Sequence, residues 1–171
     1  TRAARKAERV SDLADQYLTH HARPKKRPKS VANDISMLNA IVLPKLGSKP
    51  VAEVTHRDIQ TLHNGLHATP YRANRTLSLL SKMFELSIRW GWRQDNPVKG
   101  VEKFTEEKRH RWLSEAELAR LTQALDDHPN QLAANAIRLQ LLTGARIGEV
   151  LSSKWQDFDL ERGVWVKPSH H

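Results

Sequence analysis

The chain has 171 residues, 39% hydrophobic and 27% charged, which excludes a disordered chain and leaves room for one large domain or two small ones. It has no cysteine, so disulfides and thiolate zinc sites are excluded, and with no signal-like opening or bilayer-length apolar run a cytoplasmic protein without membrane contact is expected. The net charge of +9 is uneven: residues 1–111 hold 22 Lys and Arg against 11 Asp and Glu, while residues 112–171 hold 6 against 8.

That imbalance predicts that the first part meets a polyanion, with nucleic acid the default and a solvated basic surface the plain alternative. A first helix is expected from Ser11, with Leu13, Tyr17 and Leu18 as its apolar side, fading by His20 and His21. In ARPKKRPKS, Pro24 and Pro28 argue against helix, and five of the seven residues 23–29 are basic: Arg23, Lys25, Lys26, Arg27 and Lys29. The reading is a flexible, phosphate-seeking loop. Ser30 can cap a second helix carrying Val31, Ile35, Leu38 and Val42, stopped by Pro44 and Gly47. Thr55 and Asp58 have the spacing of a capping box for a third helix through about Leu66.

The fourth helix is expected to be the longest, from a Thr69 cap and Pro70 to Gly91. Ala73, Leu77, Leu80, Phe84 and Ile88 make one apolar face, and Leu79, Met83, Leu86 and Trp90 a second, which suits the centre of a bundle. Arg75, Lys82 and Arg89 recur every seven residues beside Arg72. Such a stripe could track a DNA groove, or simply snorkel at the bundle edge. VKGVEKFTEEKRHR then loses all periodicity and ends in Lys108, Arg109, His110 and Arg111, a basic interdomain linker over 102–111. The expected division is therefore 1–101, linker 102–111, and 112–171.

Ser114 and Glu117 form a capping box ahead of Leu118, Leu121 and Leu125, and another apolar helix covers roughly Leu132 to Leu142. Trp155 to Phe158 leads to a turn at Glu161-Arg162-Gly163 and a strand Val164-Trp165-Val166. Between these lies LLTGARIGEVLSSKWQDF, where Arg146 and Glu149 stand three apart and Gly144 breaks the preceding helix just before the arginine. An Arg-x-x-Glu pair alone is a common surface ion pair; a guanidinium at a helix start, held by a carboxylate, also suits a bidentate grip on phosphate.

LLTGARIGEVLSSKWQDFD resembles the first catalytic-arginine block of the tyrosine recombinases, the phage integrase family. YRANRTLSLLSKMFELSIRWGWRQDNP resembles the last helices of that family's core-binding domain, and WLSEAEL the entry to its catalytic domain. The resemblance implies a mainly α chain: a SAM-like four-helix core-binding bundle, then the first helices and strand of an α+β catalytic domain. It implies site-specific recombination or integration on double-stranded DNA at an attachment-site core sequence, with self-association on DNA and neither metal nor cofactor. By it, Arg146 is the first arginine on the scissile phosphate and Glu149 its support, with a tyrosine elsewhere forming a 3′-phosphotyrosine.

Tyr17 and Tyr71, the chain's two tyrosines, lie where the family never places its nucleophile, so the sequence is expected to be an inactive fragment. The His20-x-x-Arg23 match precedes Arg146 and is given no role; Lys167, near the family's hairpin lysine, is left unassigned. His63 and His67, four apart, are read as surface histidines rather than metal ligands. Two rival classes remain: a DNA-binding protein without cutting activity, and a helical protein-interaction module.

Overall fold

The structure, a computed structural model, describes residues 7–107 and 110–167. It is mainly helical and falls into two compact units, Thr1–Lys108 and Arg109–His171. In the first unit, α1 (Val10–Tyr17) buries Val10, Leu13, Ala14 and Tyr17, and its start is closed by the Arg9 N–H donating to Asp12 at 2.7 Å. The chain does not fade at His20 and His21. It widens into a π turn, Leu18–Ala22, and continues as α2 (Arg23–Lys25), so Pro24 sits inside helical backbone.

The next rod repeats this construction: α3 (Pro28–Met37), a π turn at Leu38–Val42, then α4 (Leu43–Leu46) carrying Pro44. Ser30 is therefore not the cap; Arg27 holds that place and Pro28 opens the helix, where a missing N–H costs nothing. The sequence reading treated Pro24 and Pro44 as stops because a proline ring meets the carbonyl four residues back. Here the Arg23 N–H reaches back to the Leu18 carbonyl and the Leu43 N–H to that of Leu38, five residues each. One extra residue in the turn makes room for each ring.

The capping box closes as its spacing predicts: α5 (His56–Asn64) begins with the Asp58 N–H on Thr55 Oγ1 at 3.2 Å and the Thr55 N–H on Asp58 at 2.7 Å. Helix α6 (Pro70–Arg89) runs through the core, burying Leu77, Leu79, Leu80, Met83, Phe84 and Leu86. It ends at Gly91, whose φ of 74° is a conformation that glycine adopts without strain. Arg93 is packed inward, over the Phe84 ring and donating to the Val51 and Val54 carbonyls at 2.8 and 3.1 Å. Residues 102–107, the first part of the stretch read from the sequence as linker, are fastened to this unit through Asn74 and Tyr71.

The second unit opens with α7 (Glu115–Asp126), whose box is formed by the Ser114 N–H on Glu117 at 2.9 Å and the Glu117 N–H on Ser114 Oγ at 3.3 Å. Helix α8 (Gln131–Thr143) starts under Asn130 and stops at Gly144, φ 64°. After α9 (Ile147–Leu151), β1 (Phe158–Asp159) pairs antiparallel with β2 (Val164–Trp165), and the Phe158 and Trp165 rings stack. Leu132, Leu142, Leu151, Trp155 and Leu160 stand largely exposed.

Candidate nucleic-acid interface and catalytic arginine

The basic residues of the first unit form a helical corner rather than a loop. Arg23 and Lys25 lie on α2, Arg27 caps α3 and Lys29 sits in its first turn, all four exposed. Lys26 is different. Its Nζ lies 2.5 Å from Asp34 and 3.2 Å from the Tyr17 hydroxyl, which itself donates to Asp34 at 2.8 Å. Burial and the Asp34 carboxylate push the Tyr17 hydroxyl pKa up; burial pulls Lys26 down, but its hydrogen bonds to Asp34 and Tyr17 outweigh that and raise it.

The corner meets the α6 stripe. Lys26, Ser30, Asn33, Ser36, Arg72 and Arg75 line a groove of about 530 Å3, and the Arg72 guanidinium donates to Ser36 Oγ at 3.2 Å. An adjoining groove of about 260 Å3 shares Lys26 and Arg75 and adds His21 and Lys82. Burial first, then the charges of Lys82, Lys25 and Lys26, hold the His21 imidazole below its usual pKa, the mark of a positive local field. Arg75 is exposed and makes no ion pair or hydrogen bond among the described residues. The rest of the stripe is compensated: Glu85 pairs with Lys82 at 3.3 Å and Arg89 at 2.5 Å, and Lys82 foremost keeps its carboxyl pKa low.

Lys108 and Arg109 lie outside the described residues. Arg111 pairs with Glu117 at 2.5 Å, on the capping carboxylate of α7. His63 corrects the surface reading: it is buried, and His67 lies beyond the end of α5, so the two do not share a helix face. Among the described residues no group of three or more His, Asp or Glu side chains is gathered to hold a metal.

In the second unit, the left-handed turn at Gly144 delivers Arg146 to the N-cap of α9. Its side chain is 88% exposed, while Glu149 beneath it is 20% exposed. Glu149 accepts from the Arg146 N–H at 3.0 Å and from its guanidinium at 3.1 Å; Lys167 Nζ approaches the same carboxylate at 3.4 Å. The backbone donor first, then the two cations, hold the Glu149 carboxyl below its usual range. One edge of the guanidinium is steadied and the rest faces outward, the arrangement for receiving an oxyanion.

Residues 10–103 match the phage integrase central domain. The chain belongs to the phage integrase family of tyrosine recombinases. It is 29% identical over 147 residues to the integrase of Escherichia phage HK022, covering 85% of this chain and 41% of that protein. Its fold is similar to lambda integrase as a tetramer bound to a Holliday junction, with TM-score 0.77, 25% identity, and coverage of 90% of this chain and 44% of that one. The Tn1549 transposon integrase in complex with circular intermediate DNA shares the fold at TM-score 0.73 and 20% identity, over 90% of this chain and 52% of that one. The chain thus spans less than half the length of the curated phage integrase it matches.

Within an integrase-family chain, sequence reasoning located the Arg146–Glu149 pair but missed the buried polar partners of the basic corner. The signal was Asp34, the only acidic residue between Asp15 and Glu53, set on the apolar side of a helix. A lone carboxylate among apolar positions has to find a cation, and Lys26 was near enough in sequence to be considered.

Proposed function

We propose that the chain is part of an integrase that breaks and rejoins double-stranded DNA at specific sites, the core sequence of an attachment site among them. Residues 1–101 form the core-binding domain, which grips the duplex through Arg23, Lys25, Arg27, Lys29, Arg72 and Arg75. Residues 112–171 open the catalytic domain. There Arg146 binds the scissile phosphate and Glu149 holds it in orientation; a tyrosine of the complete protein forms the 3′-phosphotyrosine, and copies assemble on the DNA. The observation that carries this reading is the exposed Arg146 fork steadied by a half-buried carboxylate at the Thr143-Gly144 turn.

The second reading, DNA binding without cutting, draws on the tyrosines of this chain. The Tyr17 hydroxyl is buried on Asp34, and the Tyr71 hydroxyl donates to the Glu107 carbonyl, both in the first unit. This chain alone is therefore expected to leave no covalent adduct on a nicked attachment-site substrate. The full-length protein should leave one, and Arg146→Ala in it should abolish the adduct while duplex binding remains. A full-length protein that binds but forms no adduct would favour the second reading; an adduct on Tyr17 or Tyr71 would overturn both.

A further inference from the structure

Residues 101–107 have neither helix nor strand, yet they are bound at one register along the first unit. Asn74, 4% exposed on α6, receives Phe104 as a neighbouring strand would: its Oδ1 accepts the Phe104 N–H at 3.0 Å and its Nδ2 donates to the Phe104 carbonyl at 2.8 Å. The same Nδ2 donates to Glu106 at 2.8 Å. The Phe104 ring stacks on His63, centroids 4.2 Å apart and planes 14° apart, and the Tyr71 hydroxyl holds the Glu107 carbonyl.

These bonds fix the imidazole as well. Asn74 Oδ1 is an acceptor, so His63 Nε2, 3.2 Å away, carries the proton it donates. His63 Nδ1 is buried and without a partner among the described residues. Helices α5 and α6, packed only for stability, would carry apolar side chains at these two positions, exposed 1% and 4%, since buried polar groups are costly unless paired. At Asn74 that pairing comes from the strap. A bidentate grip on one backbone residue also forbids slippage, which apolar packing alone would allow.

We propose that His63, Asn74 and Phe104 form a clasp that sets the length of the tether between the two units. Closed, the clasp holds the chain to the first unit as far as Glu107. Open, the chain leaves that unit after Val101, which packs on the core, adding about 20–22 Å of reach over 102–107. The inference rests on the proposed function, in which both units act on one DNA. A short tether raises the effective concentration of Arg146 at a site gripped by the first unit, and a long one dilutes it. His63, Asn74 and Phe104 are thus positioning residues, since none of them belongs to the basic grooves.

The test uses the whole chain, whose lack of cysteine allows spin labels at Glu53→Cys in one unit and Glu115→Cys in the other. With the clasp closed, trypsin should cut after Lys103 at least about tenfold more slowly than after Arg111. Phe104→Ala should raise the Lys103 rate about tenfold or more and lengthen and broaden the label-to-label distances, with the melting of the first unit retained. Phe104→Tyr, which keeps a ring to stack on His63, should behave like the unaltered chain. If Lys103 is cut as fast in the unaltered chain as in Phe104→Ala, or the distances do not change, the clasp is wrong. Both readouts are taken without DNA, so a chain that failed to bind DNA would sink the functional reading in its own titration while these measurements still decided the clasp.

Discussion

Asp58 gathers Lys49 Nζ at 2.5 Å and both the N–H and hydroxyl of Thr55 at 2.7 Å, and these lower its pKa from 3.8 to about 2. The folded value lies below the unfolded one, so the stabilisation is fully present above about pH 4 and is lost as pH falls towards 2. Asp58→Ala should cost about 1 kcal/mol in urea unfolding at neutral pH, the ordinary worth of such a cap, and the difference should shrink steadily below about pH 4. A pH-independent difference would point to packing instead. Asp34 makes a sharper case because its two effects have opposite signs. Asp34→Asn leaves Lys26 without its counter-ion and should cost about 2 kcal/mol of stability. It also removes a negative charge from a groove lined by Lys26, Arg72 and Arg75, so DNA binding should tighten even as the protein weakens. Looser DNA binding in a folded Asp34→Asn protein would remove the groove from the interface. The Thr55–Asp58 box was legible because both partners are local; the Tyr17–Asp34 bond joins residues seventeen apart, which spacing within one helix cannot reveal.

At the scale of elements, the Thr55–Asp58 and Ser114–Glu117 boxes and the α6 terminus could be read from sequence. Ser30, by contrast, is no cap, Thr69 caps through its backbone position alone, and the two prolines were misread for one physical reason. Helix periodicity assumes an unbroken 3.6-residue turn, and a π turn inserts a residue that both resets the phase and removes the proline clash. The clue was present twice: Leu18 and Leu38 each stand six residues before a Pro-Lys pair, in LTHHARPK and LNAIVLPK. If the widened turn exists to seat the ring, deleting the exposed Ala40 should restore a regular helix and drive Pro44 into it, costing about 3 kcal/mol or more. Combining that deletion with Pro44→Ala should recover most of the loss, whereas Pro44→Ala alone should stay within about 1 kcal/mol of the parent. Thermal unfolding of the three variants reads the cycle directly. No rescue in the double variant would mean that the bulge serves the packing of Leu38, Ile41 and Val42 rather than the proline.

For the molecule as a whole, stability and charge fall on the same side. The continuous core, from Val10 to Val98, lies in the first unit, while the second buries Leu125, Ala134, Ala145 and Val150 and leaves larger apolar side chains in solvent. Composition already gave the charge imbalance, but not which cations are free, because that depends on pairing across α6. Glu85 is shared between Lys82 and Arg89, Asp34 pairs with Lys26 and Glu117 with Arg111, so among the described basic residues named from sequence those without a carboxylate partner are Arg23, Lys25, Arg27, Lys29, Arg72 and Arg75. If those six each meet a phosphate, log affinity for duplex DNA should fall against log salt with a slope of about −5. Arg72→Ala with Arg75→Ala should flatten it by about 2, while Lys82→Ala, whose charge is already shared with Glu85, should change it by less than about 0.5. Arg146→Ala should matter little to affinity, since it supplies a single contact in the less basic unit. Titrations of the whole chain and these variants at several salt concentrations separate the contributions. A Lys82 effect as large as that of Arg75 would show that DNA displaces Glu85 from its partners, and a slope near zero would end the electrostatic account of this face.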